Sequence, residues 1–116
     1  MISIESEERP WGRFFVIHDE PQYKIKRIEV EPGGRLSYQY HHKRSEAWTI
    51  VTGNGIITLD GVAKECSKGQ TVTIQQGVKH RIENKGKEKI VFIEVQTGTY
   101  FGEDDIIRYE DIYSRG

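Results

Sequence analysis

Apolar and polar positions in this chain alternate over short stretches, the period of two that marks strands half-buried in a sheet. Val72 and Ile74 alternate with threonines, and Lys89–Val95 is a long β-branched run. Arg9-Pro10-Trp11-Gly12 is rich in turn formers and leads into Phe14-Phe15-Val16-Ile17, a run that Pro21 ends. Tyr23–Val30 alternates too, but its apolar parity shifts between Ile25 and Ile28, which predicts a bulge or sharp bend there. Pro32-Gly33-Gly34 closes that stretch. Further on, Asn54-Gly55 and Asp60-Gly61 separate Trp48–Val51, Ile56–Leu59 and Val62–Cys66, and both dipeptides are predicted to be tight hairpin turns. Only the tail breaks the pattern: Ile106, Tyr109 and Tyr113 are near helical spacing and predict a short terminal helix. The expected fold is all-β, about ten short strands in an antiparallel jelly-roll β-barrel.

Composition narrows the picture. The 116 residues fit one domain, 1–116, with a single core and little spare length for a second. A formal net charge of -1 with both signs mixed gives no basic field for nucleic acid or an acidic membrane surface. Cys66 is the sole cysteine, so no internal disulfide forms; it reads as a small strand residue in a reducing compartment. The acidic N-terminus lacks the basic and apolar regions of a signal peptide, and no apolar run reaches transmembrane length. The expectation is a soluble, cytoplasmic protein.

Candidate chemistry concentrates between Gly33 and Gly53. Gln39 and His41 are two apart and share a strand face, and Glu46 follows after a short turn through Lys43–Ser45. A second stretch, Gly69 to Asn84, carries a strand, a turn at Gln76-Gly77, and His80 leading a further strand. The order G-x5-Q-x-H-x4-E-x6-G, then G-x5-Q-x-G-x2-H-x3-N, resembles the two motifs of the cupin superfamily. Gln39 stands where those motifs usually have His, and Gln75 where they usually have Pro.

Gln39, His41, Glu46 and His80 together offer two imidazoles, one carboxylate and one neutral carbonyl oxygen. Such a set suits one divalent ion (Zn, Mn, Co, Ni or Fe) with open positions for a sugar or water, bound less strongly than by three histidines. The competing reading is a polar pocket without metal. His42 must point away from His41 on a regular strand, as a packing or supporting residue. His18 reads as surface, and Glu103-Asp104-Asp105 as a solvated acidic face or a partner for Arg108.

Four stretches resemble something narrower than the superfamily: RPWG at 9–12, LSYQYHHKRSEAW at 36–48, GVKHRIEN at 77–84, and EVQTGTYFGEDDIIRYEDIYSR at 94–115. They are similar to the type II mannose-6-phosphate isomerase domain, which in many relatives follows a mannose-1-phosphate guanylyltransferase domain. The resemblance implies metal-dependent interconversion of mannose 6-phosphate and fructose 6-phosphate, with Gln39, His41, Glu46 and His80 as ligands. It points to Arg44 for substrate phosphate or catalytic work, since Arg supplies a bidentate fork. Lys43 and Ala47 stand where the family pattern commonly has His. Ala47 faces away from the ligands, whereas Lys43 is expected near the pocket mouth.

The isomerisation needs a base to move a proton between C1 and C2, and a cation to stabilise the enediolate. On Lys89–Gln96, Phe92, Glu94 and Gln96 share one face, expected to line the lumen. Val91, Ile93 and Val95 share the other, expected in a core between sheets. Glu94 is the candidate acid/base group, against a reading in which it pairs with Lys or Arg on a solvated face. Lys79 and Gln96 join Arg44 as substrate-binding candidates, and Lys79 and His42 stand behind Glu94 as bases. Two functions of other kinds stay open: a metabolite-binding cupin without turnover, and another metal-dependent enzyme such as an oxygenase. The aromatic N-terminal run and the sheet edges suggest a homodimer.

Overall fold

The structure is a computed structural model and describes residues 5–110. Eleven strands are present among these residues: β1 (Glu5–Arg9), β2 (Gly12–Asp19), β3 (Tyr23–Val30), β4 (Tyr38–His41), β5 (Arg44–Thr52), β6 (Asn54–Leu59), β7 (Val62–Ser67), β8 (Thr71–Ile74), β9 (His80–Glu83), β10 (Ile90–Gly98) and β11 (Ile106–Glu110). They form two antiparallel sheets, ordered β1-β2-β3-β10-β5-β8 and β11-β4-β9-β6-β7, whose inner faces enclose the core. This is the expected antiparallel jelly-roll barrel.

Registers in the larger sheet divide the interior lengthwise. Val30, Ile90 and Phe92 pair toward one end with Ile50, all almost fully buried, and Trp48 stacks on Phe92 with centroids 4.6 Å apart. Beyond that apolar plug the same inward positions turn polar: Lys26 lies opposite Glu94, and Glu46 opposite Gln96. The plug supplies the stability, since truncating a large core aromatic costs about 3–5 kcal/mol. The polar end is left for chemistry.

Several local expectations are corrected. β3 pairs β10 without interruption, so the parity shift at Ile25 is no bulge in that strand; Lys26 faces inward among apolar residues while Ile25 faces out. The irregularity sits on the neighbour, where Ile17 is the extra residue of β2 between Val16 and His18. Asn54-Gly55 is no turn either. Both residues belong to β6 and pair with Ser67 and Cys66, while the chain crosses between sheets at Gly53, whose φ is +83°. Asp60-Gly61 is the two-residue turn predicted, with φ of 46° and 85° joining Leu59 to Val62.

The terminal helix is replaced by a single 3-10 turn, Glu103–Asp105, followed by β11. Ile106 spends its apolar side chain on the barrel interior, and the β11 backbone covers an edge of β4 that would otherwise be open. Tyr113 lies outside the described residues. Val91, Ile93 and Val95 sit on the outside of the larger sheet, the last two half-buried, because the space between the sheets is reached by Phe92, Glu94 and Gln96. Cys66 packs in the core, and burial pushes its thiol up. No helix among the described residues is long and apolar enough to cross a membrane.

Candidate active site

β5 begins at Arg44, two residues earlier than a turn through Ser45 allows, and this sets the geometry of the site. Arg44, Glu46 and Trp48 alternate inward on one strand, all nearly inaccessible. Glu46 accepts hydrogen bonds at both oxygens. Arg44 Nε donates to Oε2 at 2.9 Å, and Trp48 Nε1 donates to Oε1 at 2.9 Å. His41 Nε2, at the end of β4, stands 3.1 Å from Oε2, and His80 Nε2, at the start of β9, 3.8 Å from Oε1.

Two backbone ties hold the histidines in place. The Gly77 amide in the β8–β9 turn donates to the His41 carbonyl at 2.8 Å, which fixes the turn before His80 to the end of β4. Asp105 is buried, and its carboxylate accepts the amides of His42 and Lys43 at 3.2 and 2.9 Å. Burial works to raise the Asp105 carboxyl, but those two amides hold it below the usual carboxylate range. The acidic tripeptide is therefore no uniformly solvated face: Asp105 clamps the β4–β5 turn, and Asp104 accepts a hydrogen bond from the Tyr100 hydroxyl.

His41, Glu46 and His80 present donor atoms within 4.8 Å of one another. The chemistry of this set fits a divalent ion. His80 Nδ1 bonds the Val78 carbonyl at 2.9 Å, leaving Nε2 buried without a hydrogen-bond partner and pointing toward Glu46. Burial also pulls the His80 imidazole below its ordinary value, against the opposing charge of Glu46. Burial opposes ionisation of Glu46, but the hydrogen bond with His41 and the electrostatics of His80 and Arg44 outweigh it and hold the carboxyl well below its usual range. Gln39 pairs with His80 across β4 and β9 and, with Arg44 and Glu46, lines a cavity beside the histidines.

That cavity, about 60 Å³, contains six charged groups among its lining residues: Arg9, Lys26, Arg44 and Arg108 against Glu46 and Glu94. Glu94 is buried opposite Lys26 on one side and Trp48 on the other. Burial, together with the negative charge and hydrogen bond of Glu46, pushes its carboxyl up to about 8. Gln96 Nε2 donates to Glu94 Oε2 at 2.6 Å. Glu94 thus holds a proton at neutral pH, next to the donor set.

The structure brings Gln39, His41, Arg44, Glu46, His80, Glu94 and Gln96 together. It leaves Lys79 apart, in a depression with Tyr38, Asp60 and Gly61. His42 and Lys43 are exposed, against the rings of Tyr40 and Tyr100 respectively, and His18 is outside with Tyr23 and Glu20. Sequence reasoning missed Arg9, Lys26 and Arg108 as cavity residues. The signal for Lys26 was the parity shift in β3, a charged residue standing where the inward face calls for an apolar one.

The sequence profile of the mannose-6-phosphate isomerase C-terminal family matches residues 4–111. This chain belongs to that family. Mannose-1-phosphate guanylyltransferase of Salmonella montevideo is 46% identical over 107 residues, covering 92% of this chain but 23% of the relative. The family domain is therefore about a quarter of that longer protein. The capsular polysaccharide assembling protein CapF of Staphylococcus aureus shares the fold, with TM-score 0.82 at 23% identity over 92% of this chain and 32% of that one. A protein of Acidithiobacillus ferrooxidans assigned as a sugar phosphate isomerase matches with TM-score 0.62 at 27% identity, covering 66% of this chain and 50% of its own.

Proposed function

We propose that the domain interconverts the aldose and ketose forms of a phosphosugar, mannose 6-phosphate and fructose 6-phosphate or a close relative. One observation carries this reading: buried Glu94, its carboxyl pushed up to about 8, touches Glu46 of the donor set in a cavity that Lys26 and Arg44 also line. A group whose proton is balanced near pH 8 suits moving a proton between adjacent carbons. Family membership and the similar structure assigned as a sugar phosphate isomerase support the substrate class.

In this reading Gln39, His41, Glu46 and His80 hold one divalent metal. A cation bound there supplies Lewis-acid polarisation at the substrate's oxygen atoms. Glu94, steadied by Gln96, exchanges the proton at C2 and C1. Arg44 keeps Glu46 and His41 in position and sets a fixed positive charge beside the developing enediolate. Trp48 and Phe92 close the bottom of the cavity against water.

The test is a coupled assay of metal-reconstituted protein with mannose 6-phosphate, run beside glucose 6-phosphate. Turnover of mannose 6-phosphate is expected; tight binding without turnover refutes the enzymatic reading. The proposal extends to a homodimer, supported by the half-buried apolar side chains of Phe15, Ile17, Ile93 and Val95 on the outside of the larger sheet. Light scattering should read twice the monomer mass.

A further inference from the structure

We infer that Asp105 and Gly98, neither of them among the residues lining the cavity, are positioning residues of the site: together they shape the turn at Lys43 so that His41 and Arg44 both meet Glu46. The inference rests on the isomerase reading only for its effect on turnover. The positioning itself is measurable without metal or sugar.

Only His42 and Lys43 separate the end of β4 from the start of β5, and the chain passes there from one sheet to the other. His41 and Arg44 nevertheless reach the same atom, Glu46 Oε2, at 3.1 and 2.9 Å. Residues three apart on a regular strand face opposite ways, so the turn has to rotate the chain between them. The side chains of His42 and Lys43 are exposed and give it no internal anchor.

The connection from β10 to β11 supplies the anchor. Asp105 Oδ1 accepts the His42 amide at 3.2 Å and Oδ2 accepts the Lys43 amide at 2.9 Å, so each oxygen takes one donor and the grip has a single orientation. Both bonds are charge-assisted and the carboxylate is buried, which strengthens them. From the other side the Thr99 amide donates to the Lys43 carbonyl at 3.1 Å. Gly98 permits that approach: its φ is +153°, and a Cβ there would collide with the Lys43 carbonyl oxygen and lie 2.8 Å from Arg44 Cα. The same segment also takes Arg44 Nη1 on the Phe101 carbonyl at 3.3 Å. Every backbone polar group of Lys43, and the amide of His42, is thus satisfied by residues 98–105.

Two side-chain protons report on the result. Arg44 Nε and Trp48 Nε1 both donate to Glu46 from β5. Trp48 sits mid-strand between Glu94 and Val72, so it reports on the barrel, whereas Arg44 reports on the turn. Asp104 is exposed and accepts from the Tyr100 hydroxyl, which makes its substitution the control.

The experiment is 15N NMR of the full chain without metal, comparing wild type with D105N, G98A and D104N, each checked by a thermal melt. Asparagine keeps the size of the side chain but sets a donor against one of the two amides. D105N and G98A should speed solvent exchange of the Arg44 Nε proton at least about tenfold while the Trp48 indole proton keeps its wild-type rate; D104N should change neither. Calorimetric titration with Mn2+ should show D105N binding about 10–100-fold more weakly than wild type, and at saturating Mn2+ its kcat for mannose 6-phosphate should fall about tenfold. An Arg44 proton unprotected in wild type, or unmoved in D105N and G98A, overturns the inference. Equal acceleration at Arg44 and Trp48 also overturns it, since Asp105 would then be a general stabiliser. So does failure of both variants to fold; where one folds, its Arg44 signal decides. An Arg44 signal that depends on Asp105 in a protein without Mn2+ binding or turnover upholds the positioning and refutes the metal and isomerase readings.

Discussion

Arg44 and Glu46 are joined within one strand, Nε to Oε2 at 2.9 Å, with both side chains shut away from solvent. Neither charge can be removed alone without stranding the other. Arg44→Ala should therefore cost about 3–5 kcal/mol in chemical denaturation, the range for breaking a buried pair. Arg44→Lys keeps the charge but loses the three-way contact with Glu46, His41 and Phe101. It should fold, yet lower kcat by at least about tenfold, or about 1.4 kcal/mol. Unchanged kinetics in Arg44→Lys would remove the guanidinium from the site.

Metal content gives a separate handle on the donor set. Protein purified without chelator should carry close to one divalent ion per chain by elemental analysis, and His80→Ala should lose it. Glu46→Gln removes the only anionic donor and should weaken binding further than loss of Gln39 does. Equal metal in His80→Ala and wild type rules the assignment out.

Glu94→Gln should abolish solvent proton exchange at substrate C2 and leave metal content intact; full exchange would move the base elsewhere. Stability offers a second check on metal-free protein. Because the folded state raises the carboxyl from 4.5 to about 8, folded Glu94 keeps a proton that the unfolded chain releases. Wild-type stability should fall relative to Glu94→Gln as pH rises through that window and level off above it. Parallel stability curves for the two proteins from pH 4 to 9 would place Glu94 in an ordinary solvated setting.

On the outer face of the larger sheet, Glu29 accepts from Arg13 at 2.8 Å, Arg27 at 3.1 Å and Lys89 at 3.2 Å. Its own burial opposes ionisation, but those three donors hold its carboxyl below the ordinary value. A depressed carboxyl stabilises the fold above its unfolded pKa, and that stabilisation disappears as pH falls through the folded one. Glu29→Gln should cost about 1–3 kcal/mol at pH 7 and make little difference in strong acid, as read by denaturant titration.

What the sequence disclosed depended on whether the signal was local. Gln39, His41, Glu46 and His80 were found because a strand's period of two and short turns fix their spacing within each motif. Glu94 and Gln96 were found by the same periodicity on β10. Lys26, Arg9 and Arg108 were not, since they converge only through sheet topology, from strands far apart along the chain. Asn54-Gly55 misled because the same dipeptide serves a hairpin and a crossover between sheets, and only tertiary pairing distinguishes them. Ile106 and Tyr109 satisfy helical spacing, yet the open edge of β4 captured their backbone as a strand.

The Asp105 clamp and the β4–β11 pairing also set an order of assembly. β4, which carries Gln39 and His41, meets β9 at a single residue pair and has β11 along its other edge. Pairing partners some sixty residues apart form slowly, after local hairpins such as β6–β7. The donor set therefore depends on long-range pairing, as the core does through β3 and β10. A chain that has not yet made these pairings exposes His41 and His80 before it can hold them together.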